Sequence, residues 1–331
     1  MLVLLFHTYA RWIDYMPWAT VHRELPFFKY GYLGVELFFL ISGFVIYMTL
    51  EKCGTFFEFM HKRWLRLFPA MLVATILIYF TSGILSERPA GIPKLLDTLP
   101  GLLFVGPGLL YKLFGNIDPI EAAFWSLFVE VKFYFVFGVM HFMNRSKAIY
   151  ALLILFLLRF LYAAMLNFDF IGQIHYVDAL ISALSLDYFG WFCAGAFLYK
   201  SYAERRSVHT VMSVAAVVPS MILIGGGHFE VILACVFIYL IFCAGVFSRR
   251  AIFVFQSRLF QYFGFVSYPL YLIHENAMVS MSIKVHRYFN DGGMLTPIPG
   301  LMIIIAASYL IAKYAEPMLR NALYKFTMKP A

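Results

Sequence analysis

The chain has 331 residues, of which 62% are hydrophobic and 13% charged, with a formal net charge of +8. Soluble proteins carry about half apolar and about a quarter charged residues, so this composition and a mean hydropathy of +0.79 exclude a water-soluble globule. The basic residues fall in short breaks between apolar runs and not on one face of a folded domain, which excludes a nucleic-acid binder. Taken in chain order, the apolar runs predict ten spans, at 1–14, 31–50, 67–86, 122–142, 148–166, 178–200, 209–225, 229–247, 259–280 and 297–315. Most approach the ~20 residues that cross a bilayer as a helix. The expected fold is an all-α polytopic membrane bundle of about ten helices, forming a single domain over residues 1–331. Pro69, Pro119 and Pro297 fall at or near span starts, where a missing N–H costs least. Gly225, Gly226 and Gly227 predict a tight turn between two spans.

Orientation follows from Lys and Arg. With the N-terminus in the cytoplasm, fifteen basic residues fall in inner segments and seven in outer loops, so this orientation is expected. The first span is short, because Arg11, Asp14 and Pro17 soon end its apolar run. A stretch of about 14 residues covers ~21 Å at 1.5 Å per residue, less than the ~30 Å hydrocarbon core. Upstream sequence before Met1 is therefore expected. Cys53, Cys193, Cys235 and Cys243 have neither metal-ligand nor paired-loop spacing and read as small packed hydrophobes. No metal site is expected.

Ionisable side chains in a bilayer are costly and usually face an interior cavity. His7, Glu36, Glu130, Lys132, Arg159, Asp187, His274 and Glu275 all lie within the spans. Depth along the helices places His7, Glu36, Glu130, Arg159, Asp187 and His274 some ~9–13 Å below the outer face. They predict a polar chamber in the outer half of the bundle, where His7 meets a carboxylate. An imidazole oriented by a carboxylate is a general base near neutral pH. For Lys132, Arg159, Asp187 and Glu275 an interhelical hydrogen bond without chemistry explains the sequence at least as well. At the inner face, Phe59, Lys62, Arg63, Arg66 and Pro69 form a basic aromatic segment. Arg63 and Arg66 are three apart, so on a helix they share a face and can grip phosphate oxygens, although membrane anchoring accounts for the charge alone.

Several runs carry a family resemblance. Phe6-His7 ends the first apolar run, and residues 31–44, GYLGVELFFLISGF, are similar to the signature G-x-x-G-V-[DE]-x-F-F-x-x-S-G-F. Residues 59–69 resemble F-x-x-x-R-x-x-R-x-x-P, residues 124–134 F-W-S-L-x-x-E-x-x-F-Y, and residues 267–274 S-Y-x-x-Y-L-x-H. Glu316-Pro317 is similar to a closing Glu and Pro element. In this order the runs resemble the acyltransferase-3 family, membrane enzymes that decorate glycans and other acceptors. The resemblance implies an acyl-CoA co-substrate, commonly acetyl-CoA, bound from the cytoplasm by a multi-pass protein of the plasma (inner) membrane, with no further cofactor. The acyl group would pass to a hydroxyl of a carbohydrate or lipid-linked glycan. Carried over residue by residue, it implies His7 as general base, with Glu36 or Glu130 orienting the imidazole, and Arg63 and Arg66 on the CoA phosphates. Glu36, Ser42, Trp125, Ser126, Glu130, Tyr134, Tyr271 and His274 would shape the chamber. The family's basic residue about ten positions before the histidine would precede this Met1. The tail after Pro317 is too short for the SGNH esterase-like domain of some relatives, so the chain is expected to act alone or with a separate partner.

A secondary transporter or a lipid-linked sugar flippase is the competing expectation, since such proteins also place polar groups near mid-membrane. It predicts two related halves, and none is visible in the sequence. A structural or signalling membrane protein gives no reason for the ordered runs. The loops at 87–121 and 281–296 are expected to contribute to acceptor recognition, with Gly106-Pro107-Gly108 either dipping over the chamber or forming an interfacial loop.

Overall fold

In hydrocarbon every backbone polar group needs an internal partner, and an apolar run of about 20 residues meets that condition by forming a helix. A computed structural model describes residues 1–18, 23–288 and 295–327, and all regular elements among these residues are helical. Seven of the helices are long and apolar enough to cross a membrane: Gly31–Glu51, Phe56–Thr81, Ala122–Met143, Ala148–Asn167, Ser207–Gly225, Phe229–Phe247 and Ile298–Thr327. An eighth crossing is formed if His175–Leu184 and Leu186–Glu204, bent by 63°, count as one. Lys329, residues 289–294 and the Lys112 side chain lie outside the described residues.

Three of the ten apolar runs take a different helical form from the one expected. The 1–14 run yields only Leu2–Phe6 and a wider π turn at His7–Arg11. The 259–280 run is divided at His274 into Arg258–Ile273 and Glu275–His286. The 67–86 run belongs to a helix that starts earlier, at Phe56, so the basic segment is helical and Pro69 lies inside it. The proline ring removes one bond, to the Leu65 carbonyl, and the long flanking helix tolerates that loss. Gly226 and Gly227 have φ of 51° and 88° and make the tight turn between Ser207–Gly225 and Phe229–Phe247. Gly106-Pro107-Gly108 starts a short helix, Pro107–Phe114, that leaves Leu109, Tyr111 and Leu113 exposed.

The chain forms two compact units, one of Leu33–Lys62 with Val129–Phe255, the other of Met1–Tyr32, Arg63–Phe128 and Gln256–Ala331. In the first, the Gly34–Glu51 and Phe189–Glu204 helices touch backbone to backbone. A Cβ at Gly43 would stand 1.9 Å from the Phe192 carbonyl oxygen, and one at Gly195 would stand 2.0 Å from that of Leu40. Small residues permit such close approach between membrane helices. Gly43→Ala is therefore expected to destabilise the protein by about 1–3 kcal/mol, as overpacked cores do. Gly83→Ala, where a Cβ would meet nothing within 4 Å, is expected to stay within about 0.5 kcal/mol. Thermal unfolding in detergent compares the two.

The same unit accounts for three of the charged residues within spans. Ser185 adopts a left-handed φ of 58° at the bend, and Lys132 Nζ donates to its Oγ at 2.9 Å. Just beyond, Arg159 Nη2 pairs with Asp187 Oδ1 at 2.6 Å. These contacts brace a bent helix pair, which is the structural role weighed for them in the sequence.

In the second unit, Leu2–Arg11 lies against Gly31, whose Cβ would sit 2.5 Å from the Leu2 carbonyl oxygen. The loop after Thr81 is tied to the Glu275–His286 helix by Glu87, which accepts from Ser280 at 2.9 Å and Lys284 at 3.1 Å. Burial alone would raise the Glu87 carboxyl, but those two partners hold it at about 2, so the tether is charged at neutral pH.

Candidate functional site

A helix that stops and restarts exposes backbone donors and acceptors, and inside a membrane protein these need partners from elsewhere. The break at His274 finds them in the segment before the Ala122–Met143 helix. Asn276 N–H and Nδ2 both donate to Glu121 Oε2, at 3.0 and 2.7 Å. In return Ala123 N–H donates to Glu275 Oε2 at 2.7 Å. Each segment supplies the carboxylate that caps the other. Arg88 joins them, donating to the Ile120 carbonyl and placing Nη2 3.6 Å from Glu121 Oε1. Asn276 Oδ1 accepts from Ala90 N–H at 2.9 Å. Arg88, Glu121 and Asn276 also line a small cavity with Thr81 and Ser82, of empty volume about 210 Å³ including its mouth.

Against this clasp stand two imidazoles. His7 opens the π turn of the N-terminal segment, and its ring centroid lies 4.9 Å from that of His274. Both are buried, at 9% and 1% exposure. His274 Nδ1 lies 2.8 Å from the Tyr271 carbonyl oxygen. A carbonyl only accepts, so Nδ1 carries the proton and Nε2 keeps its lone pair. That Nε2 has no hydrogen-bond partner among the described residues. His7 Nδ1 lies 3.4 Å from Glu275 Oε1. Tyr271 Oη donates to the Ala123 carbonyl at 2.5 Å and lies 2.7 Å from Ser126 Oγ, which therefore donates to it. Trp125, beside Ser126, is 39% exposed.

The basic pair belongs to the same unit. Arg63 is buried, whereas the Arg66 side chain is 54% exposed. Arg66 lies over the Tyr268 ring at 5.5 Å, and its Nη1 is 4.0 Å from Glu316 Oε1. Tyr268 Oη donates to the Leu67 carbonyl at 2.9 Å, which fixes the height of one helix against the other. From Tyr268 to His274 is six residues, or about 9 Å along a helix axis. An exposed guanidinium and a pair of buried imidazoles are thus linked by fewer than two helical turns.

The other predicted residues fall in the first unit. Ser42 Oγ donates to Glu130 Oε1 at 2.6 Å, both buried. Glu36 is 5% exposed, and its Oε2 has no hydrogen-bond partner among the described residues. Tyr134 is buried with its ring 6.1 Å from that of Phe59. The carboxylate beside His7 in its own unit is Glu275, where the sequence left Glu36 or Glu130 as the choice. Glu275 was legible as an ionisable residue next to His274 but not as a partner of His7. Arg88, Glu121 and Asn276 gave no signal, because they sit outside the apolar runs or carry no charge.

Residues 1–313 match the family described as Acyltransferase domain. The chain is 24% identical to O-acetyltransferase OatA of Staphylococcus aureus (strain NCTC 8325 / PS 47), over 92% of its own length and 54% of that protein. It is 36% identical over 83 residues to an O-acetyl transferase of Shigella phage Sf6, covering 25% of this chain and 23% of the phage protein. The chain thus spans about half the length of the staphylococcal relative it matches. No solved structure matches it.

Proposed function

The chain belongs to the acyltransferase-3 family, and on that premise we propose that it is a membrane O-acyltransferase that moves an acetyl group from acetyl-CoA to a hydroxyl of a glycan or lipid-linked glycan. It is an enzyme of acyl transfer with several membrane-spanning helices. The donor, the acceptor, an inner-membrane location, a cytoplasmic N-terminus and about ten crossings belong to the proposal. The observation that carries it is the buried imidazole pair, 4.9 Å apart, joined by one helix to the exposed Arg66.

The chemistry assigned to these residues is general base catalysis. His7 takes the proton of the acceptor hydroxyl as its oxygen attacks the thioester carbonyl. The carbon–sulfur bond breaks, the ester forms, and the imidazolium returns its proton to the departing thiolate, so that free CoA leaves. Tyr271 and Ser126 shape the wall of the site, and His274 Nε2 offers an acceptor to a second hydroxyl of the sugar. Trp125 keeps the chamber role implied by the resemblance, and no step is assigned to Glu36, Ser42, Glu130 or Tyr134 of the other unit. Arg63 and Arg66 hold the donor phosphates.

Purified protein in vesicles loaded with labelled acetyl-CoA is expected to acetylate an external glycan acceptor. Substrate uptake without CoA and without transfer would instead identify a transporter. Charge-assisted hydrogen bonds contribute about 1.5–3 kcal/mol each. The Arg63→Ala/Arg66→Ala double variant should therefore weaken acetyl-CoA binding at least about tenfold. Equal affinity in calorimetry would return the pair to membrane anchoring.

A further inference from the structure

We propose that Glu275 is the positioning residue of His7, holding Nδ1 so that Nε2 faces the reacting hydroxyl. The inference rests on the reading of His7 as general base. Its starting point is the division of labour between the two oxygens of one buried carboxylate. Glu275 is 1% exposed, and Oε2 accepts the Ala123 N–H at 2.7 Å. With one oxygen fixed to backbone, the carboxylate plane cannot swing, and Oε1 is left 3.4 Å from His7 Nδ1. That nitrogen is itself buried and has no closer hydrogen-bond partner among the described residues. Catalytic hydrogen bonds are often long before substrate binds and tighten in the productive complex.

Charge balance leads to the same pair. Arg88 stands at ion-pair distance from Glu121, which also holds both donors of Asn276. Among the described residues no lysine or arginine lies within ion-pair distance of Glu275, and His7 is the group that does. Arg11 and Arg88 act on Glu275 only from further away. A base that takes a proton becomes an imidazolium, and next to the His274 ring that cation needs a nearby anion. A carboxylate on Nδ1 supplies the charge, fixes the tautomer and leaves the Nε2 lone pair for the proton in transit.

The position of Glu275 is set by the break in its helix. It is the first residue after His274, and its backbone neighbour Asn276 is clamped by Glu121. The clasp that repairs the broken helix therefore also fixes the distance between the carboxylate and His7.

Glu275→Gln separates the two duties, because its amide oxygen can still accept the Ala123 N–H while the charge is gone. In the full-length protein in nanodiscs, this variant is expected to lose kcat by about 10²-fold. Its affinity and KM for acetyl-CoA should stay within about twofold of wild type, and its thermal midpoint should not move. Combined with His7→Ala, it is expected to cause no further loss, since a residue that acts through another contributes nothing once that other is removed. Wild-type kcat in Glu275→Gln, or a loss that adds to that of His7→Ala, overturns the proposal while leaving the acyltransferase reading in place. Undiminished transfer by His7→Ala overturns both. If Glu275→Gln does not fold, Glu275→Asp takes its place, with a shorter arm for the same charge: a lower kcat that vanishes as an effect in the His7→Ala background supports the proposal, and an unaltered kcat overturns it.

Discussion

His7→Ala is expected to cut acyl transfer by about 10²–10⁴-fold, the range that a positioned general base supplies. The ring lies 4.9 Å from His274 and 3.4 Å from a Glu275 oxygen, so no other described group duplicates both contacts. The loss should appear in kcat. Donor affinity should be retained, because Arg66 stands on a different helix about 9 Å away along the Arg258–Ile273 axis. The fold should survive the change. His7 makes an edge contact with the Phe6 ring at 5.5 Å, and without the imidazole Glu275 still accepts the Ala123 N–H on Oε2. Initial rates of label transfer from acetyl-CoA, measured beside calorimetric donor binding, check both halves of this expectation. A variant that binds the donor and transfers at the wild-type rate would remove His7 from the chemistry.

How far the sequence foretells this arrangement depends on what hydropathy can register. It counts apolar side chains, so the Gly31–Glu51, Ala122–Met143, Ala148–Asn167, Ser207–Gly225 and Phe229–Phe247 helices were legible within a few residues. It does not register where the backbone changes hydrogen-bond partners. The 259–280 run reads as one span because Tyr268 through Ile273 and Met278 through Val279 are apolar enough to bridge His274-Glu275-Asn276. The helix nevertheless divides there, since Glu121 and Ala123, some 150 residues earlier in sequence, supply the missing partners. Pro69 misled in the opposite direction. It reads as a helix start, yet the helix had already begun at Phe56.

The site shows the same split between composition and pairing. His7 and His274 stood out because imidazoles are rare in apolar runs, and their shared depth was readable from residue counts. Glu275 was read as a structural hydrogen-bonding group at least as readily as a functional one, and its distance from His7 in sequence hid the contact. Gly43 and Ser42 look alike as signature residues, and the structure gives them different duties. Ser42 binds Glu130, while Gly43 is required by the approach of the Phe192 backbone.

Loss of Arg88 should be the costliest substitution for stability. Its guanidinium and the Glu121 carboxylate are each 2% exposed, 3.6 Å apart. Taking one partner from a buried ion pair leaves the other charge uncompensated, at a cost of about 3–5 kcal/mol. Arg88→Met should therefore lower the thermal midpoint steeply. Glu121 would then keep only its amide donors from Asn276, both on one oxygen. The Arg88→Met/Glu121→Gln double variant should recover part of the loss, because the glutamine oxygen can still cap Asn276 while the stranded charge is removed. A double-mutant cycle on thermal stability in detergent measures this coupling, and additive losses would mean that the two groups do not act as a pair. Activity offers an independent check. The clasp between Glu121 and Asn276 sets where Glu275 stands, so the partly rescued double variant should fold yet transfer acyl groups more slowly than wild type.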